Sequence, residues 1–181
     1  MKRILLWLTA AAAAMLPVGA LGVMAAPAVA AGTSCTENSG SITFSPGLTN
    51  TTAKIQNIVV HASLGGCTGS TVASASYVAK LKSSQPATCG SLAVAGETAT
   101  GSVVVKWSPK GQGNSKGTLT LTATGGGATF AGAIGSGLFS ESSFAGAAES
   151  FTPIFKPAGE PCSKQNPLKK ATFSGSGVTI S

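Results

Sequence analysis

The sequence predicts an all-β fold: an immunoglobulin-like β-sandwich of about seven to nine antiparallel strands with two disulfides, or alternatively a small β-barrel. Two observations carry this. Short apolar runs alternate with period two between clusters of Gly, Pro, Ser and Asn, and no stretch sustains a helical period. Four cysteines, an even number, all follow an N-terminal segment that looks like an export signal.

The first run is Ser41-Ile42-Thr43-Phe44-Ser45, stopped by Pro46-Gly47. From Lys54 to Leu64 the set Ile58, Val60, Ala62 and Leu64 shares one face, with Val59, His61 and Ser63 on the other. From Thr71 to Lys82 the inward set is Ala73, Ala75, Tyr77, Ala79 and Leu81, which turns Lys80 and Lys82 to water. Thr98 to Ser108 points Val103, Val105 and Trp107 inward. Thr118 to Thr124 does the same with Leu119 and Leu121. Between these two lies Pro109 to Gly117, whose Gly, Asn and Pro content suits a hairpin loop. Residues 125 to 151 alternate weakly and read as two glycine-rich strands of poorly specified register. Thr152 to Pro167 holds four prolines and reads as an irregular loop, and Lys170 to Ile180 as a closing strand.

Domain organisation follows from the N-terminus. Lys2 and Arg3 precede an uncharged stretch from Ile4 to Ala31, and Ala28-Val29-Ala30 fits a small-residue cleavage site. The expectation is a signal peptide over residues 1–30 and one secreted domain over 31–181. A retained anchor is the rival, because about 18 uncharged residues can span a bilayer. Pro17, Pro27, Gly19 and Gly22 make this stretch a poor permanent helix. No integral membrane span is expected after cleavage, and the expected location is extracellular or the cell envelope.

The formal net charge of the whole chain is +7. Beyond Arg3, ten lysines stand against five glutamates (Glu37, Glu97, Glu141, Glu149, Glu160), with no aspartate. This mild basic balance suits an anionic envelope polymer or another secreted protein as partner, and no nucleic acid is expected.

Cys35, Cys67, Cys89 and Cys162 form no CxxC pair, and one histidine cannot complete a Cys/His zinc site, so they read as half-cystines. Strand length and the first hairpin together narrow the pairing. Twelve extended residues, Thr71 to Lys82, span roughly 40 Å and separate Cys67 from Cys89, whereas bridged Cα atoms lie within about 7 Å. A first hairpin turning near Thr49-Asn50 brings Cys35 opposite Leu64 to Cys67. The expected bridges are Cys35–Cys67 and Cys89–Cys162.

Catalytic constellations are scarce. His61, the only histidine, sits on a polar strand face with no aspartate to orient it. Gly113-Asn114-Ser115-Lys116-Gly117 matches G-x-S-x-G, but that pattern needs a strand-to-helix elbow followed by an acid and a histidine. Ser115 is therefore assigned to the solvent-facing hairpin loop, without a catalytic role. Glycosidases need two carboxylates roughly 5 to 9.5 Å apart, and the glutamates are dispersed. Aspartate-rich calcium loops are impossible here. Trp107 and Tyr77 could form a stacking platform only if they faced outward, and both are placed inward. No catalytic, cofactor-binding or metal residue is assigned, and no cofactor is expected.

Phe44-Ser45-Pro46-Gly47-Leu48, Leu64-Gly65-Gly66-Cys67-Thr68-Gly69, Lys106-Trp107-Ser108-Pro109-Lys110-Gly111 and Gly113-Asn114-Ser115 resemble a group of small exported actinobacterial β-domain proteins without an assigned activity. The resemblance covers most of residues 31–181 and implies a secreted β-domain of actinobacterial source. Its motifs are turns, half-cystines and core positions, so it transfers no activity. A looser likeness, of fold only, is to the enediyne-carrier apoproteins, which are exported two-disulfide immunoglobulin-like domains with different cysteine spacing and charge sign.

The function expected on these grounds is a non-enzymatic binding or surface-interaction module. A cationic toxin or antimicrobial protein is the alternative, and a glutamate-dependent hydrolase ranks below both.

Overall fold

Ten strand segments form a single antiparallel sheet that closes on itself. The structure, a computed structural model, describes residues 32–109, 113–154 and 160–181. The export segment expected over residues 1–30 lies outside the described residues. The strands are β1 (Thr33–Leu48), β2 (Asn57–Thr68), β3 (Ser74–Ser83), β4 (Thr98–Ser108), β5 (Asn114–Ala123), β6 (Ala128–Ser136), β7 (Ser143–Ala148), β8 (Ser150–Ile154), β9 (Leu168–Gly175) and β10 (Val178–Ile180). One 3-10 turn, Gly90–Ala93, precedes β4.

Each strand pairs with the next through β7, and the chain then closes the ring. Ala145 pairs with Thr179 (β7 with β10) and Phe151 with Phe173 (β8 with β9), so two successive pairings keep one register. Cys35 opposite Val178 and Asn38 opposite Gly175 likewise keep one register along β1. β7–β8 and β9–β10 therefore act as two long staves, each interrupted once, and the result is an eight-stranded closed barrel.

This corrects the expected immunoglobulin-like sandwich. A sandwich needs two sheets with separate edges, whereas here the last stave hydrogen-bonds to the first and closes the ring, leaving β8 paired only with β9. Other differences are local. β1 runs well beyond Ser41–Ser45 at both ends, and β8 carries pairing to Ile154 inside the stretch read as irregular. Ala73 is exposed, one residue before β3 begins.

The remaining alternation holds. Ile58, Val60, Ala62 and Leu64 are buried, as are Tyr77, Ala79, Leu81, Val103, Val105 and Trp107, while His61, Lys80 and Lys82 face water. The barrel is thus apolar inside with Thr, Ser and Lys on its outer faces, the inverse of a lipid-facing barrel. No described helix is long and apolar enough to cross a membrane.

Filling so small a barrel requires large residues opposite small ones. Phe144 lies opposite Gly132, Phe130 opposite Gly146, and Leu119 between Gly101 and Gly132. A Cβ on Gly101 would overlap the Lys80 carbonyl oxygen, and one on Gly132 that of Thr118. Glycine lets neighbouring staves coil together at these points. The core aromatics form a chain: Tyr77 meets Phe144 and Phe130 edge-on at 5.7 and 6.4 Å, and Phe130 meets Phe173 at 5.7 Å.

The two ends of the barrel differ. At one end Trp107 packs edge-on against Phe139 at 4.9 Å, with Phe139 held in a left-handed conformation (φ 61). This end also carries the Cys35–Cys67 bridge between directly paired residues of β1 and β2. At the other end the loops of residues 49–56, 84–97, 124–127 and the segment around Cys162 surround a hollow. The closed end therefore plugs the barrel and the open end presents the site.

Candidate functional site: an apolar calyx at the open end

Strand ends dictate what lines the hollow. The inward alternation of β1, β2, β4 and β5 delivers Phe44, Ile58, Ala99 and Leu121 to its wall, and β8 and β9 add Phe151 and Leu168. The cavity they enclose measures about 280 Å³. That is near the lower limit of small-molecule pockets, which run about 300–1,000 Å³. Phe151 stacks on Phe173 at 6.4 Å and 18°, so the calyx wall continues the aromatic chain of the core.

Few polar side chains reach this space, and most are already engaged. The Gln56 side chain accepts from the Gly47 N–H at 3.1 Å and donates to the Lys54 carbonyl at 3.1 Å. Ser83 Oγ accepts the Gln56 N–H at 2.9 Å. These bonds lock the β1–β2 loop against the end of β3 and leave little hydrogen-bonding capacity for a guest. Ser91 Oγ accepts from the Thr88 N–H. Glu97, half-buried where β4 begins, is the only charged residue of the lining among the described residues.

The second disulfide, Cys89–Cys162, crosses this end and ties residues 84–97 to the segment before β9. The Asn50 N–H donates to the Cys162 carbonyl at 2.7 Å, and the Cys89 N–H to the Thr49 carbonyl at 3.2 Å, so the bridge holds three loops together. Both bridges have the connectivity expected from strand length and the first hairpin.

The residues singled out from sequence do not converge. His61 stands exposed on the outer face of β2. Glu37 and Glu141 lie toward the closed end, Glu149 between β7 and β8, and Glu97 and Glu160 at the open end. No group of three or more His, Cys, Asp or Glu suited to a metal occurs among the described residues. Ser115 is placed differently from the expectation. It belongs to β5, not to a solvent-facing loop, and is fully buried, because the alternation that points Leu119 inward points Ser115 inward too. Its hydroxyl accepts from Trp107 Nε1 at 2.8 Å and donates to the Leu138 carbonyl.

Sequence reading missed Asn38, Gln56 and the calyx. Asn38 is buried, accepts from the Tyr77 hydroxyl at 3.1 Å, and donates to the Ala147 carbonyl at 3.2 Å beside the interruption in the β9–β10 stave. Its signal was a polar residue at an inward position of β1. A second hollow, more open to solvent, lies at the surface of the closed end by Ser74, Ser76, Lys106 and Asn114, with Trp107 also in its lining, and it borders residues outside the described set.

Comparison with known proteins finds no matching family model, no similar curated protein and no similar solved structure.

Proposed function

We propose that this barrel is a binding module that takes one small apolar molecule, or the end of a single acyl chain, into the calyx at its open end. The observation that carries this reading is the roughly 280 Å³ apolar cavity whose principal polar neighbours, Gln56 and Ser83, are spent on backbone partners. Eight-stranded barrels are either filled by their own side chains or keep room for one small ligand. This one does both, filled at the Trp107 end and hollow at the other. A poorly hydrated apolar pocket also favours an apolar guest, because little bound water has to be displaced.

The reading is non-enzymatic and extends the expected binding module. It rests on shape and lining and needs no reacting group. Two disulfides suit an extracellular location.

Titration with a fluorescent apolar probe such as N-phenyl-1-naphthylamine tests it. Saturable binding at one site is expected, together with loss of binding in Ala99→Phe or Ala128→Leu, which place added volume inside the cavity. Unsaturable binding, or unchanged affinity in folded forms of both variants, overturns the reading.

A further inference from the structure

We propose that the open end of the barrel is a docking face for an anionic lipid bilayer. The proposal rests on the rim and not on the cavity, so it stands or falls separately from ligand binding.

Among the described residues, the large hydrophobic side chains that remain exposed are Ile55, Val94 and Ile154, at 37%, 60% and 45%. Scattered exposed hydrophobics are ordinary, but these are gathered at one end. Each is the immediate chain neighbour of a calyx-lining residue: Ile55 of Gln56, Val94 of Ala93, and Ile154 of Pro153. They come from three separate segments, the β1–β2 loop, the loop before β4 and the end of β8.

Among the described residues, charge is gathered at the same end. Lys54, Lys80, Lys82, Lys164, Lys169 and Lys170 are exposed in the open half, accompanied there by Glu97 and Glu160. Lys106 and Lys116 belong to the closed half, which also holds Glu37 and Glu141. Lys80 and Lys82 lie on β3, Lys169 and Lys170 on β9, and only β2 and β1 separate those strands. Ile154 pairs directly with Lys170, so an apolar and a basic side chain adjoin at the rim.

An apolar tip beside a basic patch fits a surface that offers negative charge outside and hydrocarbon just beneath. Neither feature alone gives stable membrane attachment, and the two together do. A soluble anionic polymer would use the lysines and leave Val94 and Ile154 in water. A bilayer uses both, and it places the calyx mouth where apolar molecules are held.

Flotation with vesicles decides the matter, using the protein released by an exporting host. One set of vesicles contains phosphatidylglycerol with phosphatidylcholine, the other phosphatidylcholine alone. Binding to the anionic set is expected, and it should weaken at high salt as the Debye length shrinks to ~3 Å near 1 M. Lys→Gln changes at Lys80, Lys82 and Lys170 should each lower affinity roughly fivefold, the equivalent of about 1 kcal/mol per lysine. Val94→Glu with Ile154→Glu should abolish binding while probe uptake into the calyx is retained.

Equal binding to both vesicle sets that survives salt would assign attachment to the apolar N-terminal residues and overturn the proposal. So would absence of binding, or binding indifferent to the Val94 and Ile154 changes. Retention on a soluble anionic polymer that matches the vesicles would likewise overturn it, in favour of charge alone.

Discussion

The Trp107 indole Nε1 donates to Ser115 Oγ across the β4–β5 hairpin at 2.8 Å, and that hydroxyl donates onward to the Leu138 carbonyl. Three segments of the closed end are thereby tied through one fully buried oxygen. Ser115→Ala should destabilise the fold by about 1–3 kcal/mol, because it leaves a buried indole N–H without an acceptor. Urea unfolding measures this. Combined with Trp107→Phe, the two losses should add to less than their sum, since the second change removes the donor the first one orphans. A neutral Ser115→Ala would mean that the hydroxyl points elsewhere.

That serine marks where sequence was and was not sufficient. The inward faces of β2, β3 and β4 were legible because each carries apolar residues at alternate positions, anchored by at least two large side chains. In β5 the same alternation reaches back through Gly117 to Ser115, where nothing large announces it. The loop signals of Gly111, Gly113 and Asn114 dominate there instead. Barrel closure was not legible either. It depends on Thr33–Cys35 and Asn38–Thr43 meeting β10 and β9 from the far end of the chain, and pairing at that separation leaves no local pattern. The calyx is assembled from single residues at the ends of many strands, so its lining has no contiguous signature.

Tyr77, the only tyrosine in the chain, provides a direct spectroscopic test of the core. Burial pushes its phenol well above the usual value near 10, and the Asn38 hydrogen bond opposes this as a smaller effect. The folded state thus holds a proton that the unfolded state releases. The associated stability is fully present below about pH 10 and is lost as pH rises toward the folded value, by up to about 1.4 kcal/mol per pH unit. Phenolate absorbance should stay absent from the native protein at a pH where the urea-unfolded chain shows it fully. Native titration near pH 10 would place the ring in solvent.

Gly101 sits at an inward position of β4 opposite Leu119, with the Lys80 carbonyl where a Cβ would be. The obstacle is backbone, not a flexible side-chain end, so it cannot move without separating β3 from β4. Gly101→Ala should cost about 2 kcal/mol or more, against a few tenths for Ser102→Ala on the exposed face. Thermal unfolding of the two variants compares them, and equal midpoints would contradict the close approach.

The two disulfides should separate stability from binding. Cys35–Cys67 joins residues already paired on neighbouring strands at the closed end, with a separation of 32, whereas Cys89–Cys162 spans 73 residues and crosses the calyx mouth. Closing loops of these lengths is worth about 4 kcal/mol in each case on the chain-entropy model, slightly more for the longer. Double Cys→Ala replacement at either bridge should therefore lower stability by comparable amounts. Their effects on ligand uptake should differ. Without Cys89–Cys162, the Asn50–Cys162 and Cys89–Thr49 hydrogen bonds must hold the three loops unaided, and the wall beside Leu92 and Leu168 loses its fixed position. Probe affinity should fall about tenfold or more in that variant and stay within about twofold when Cys35–Cys67 is removed, both measured well below the unfolding temperature. Equal losses of affinity would show that uptake tracks global stability and not the order of the mouth. Unchanged affinity in both would place the binding surface away from the loops that Cys89 and Cys162 hold.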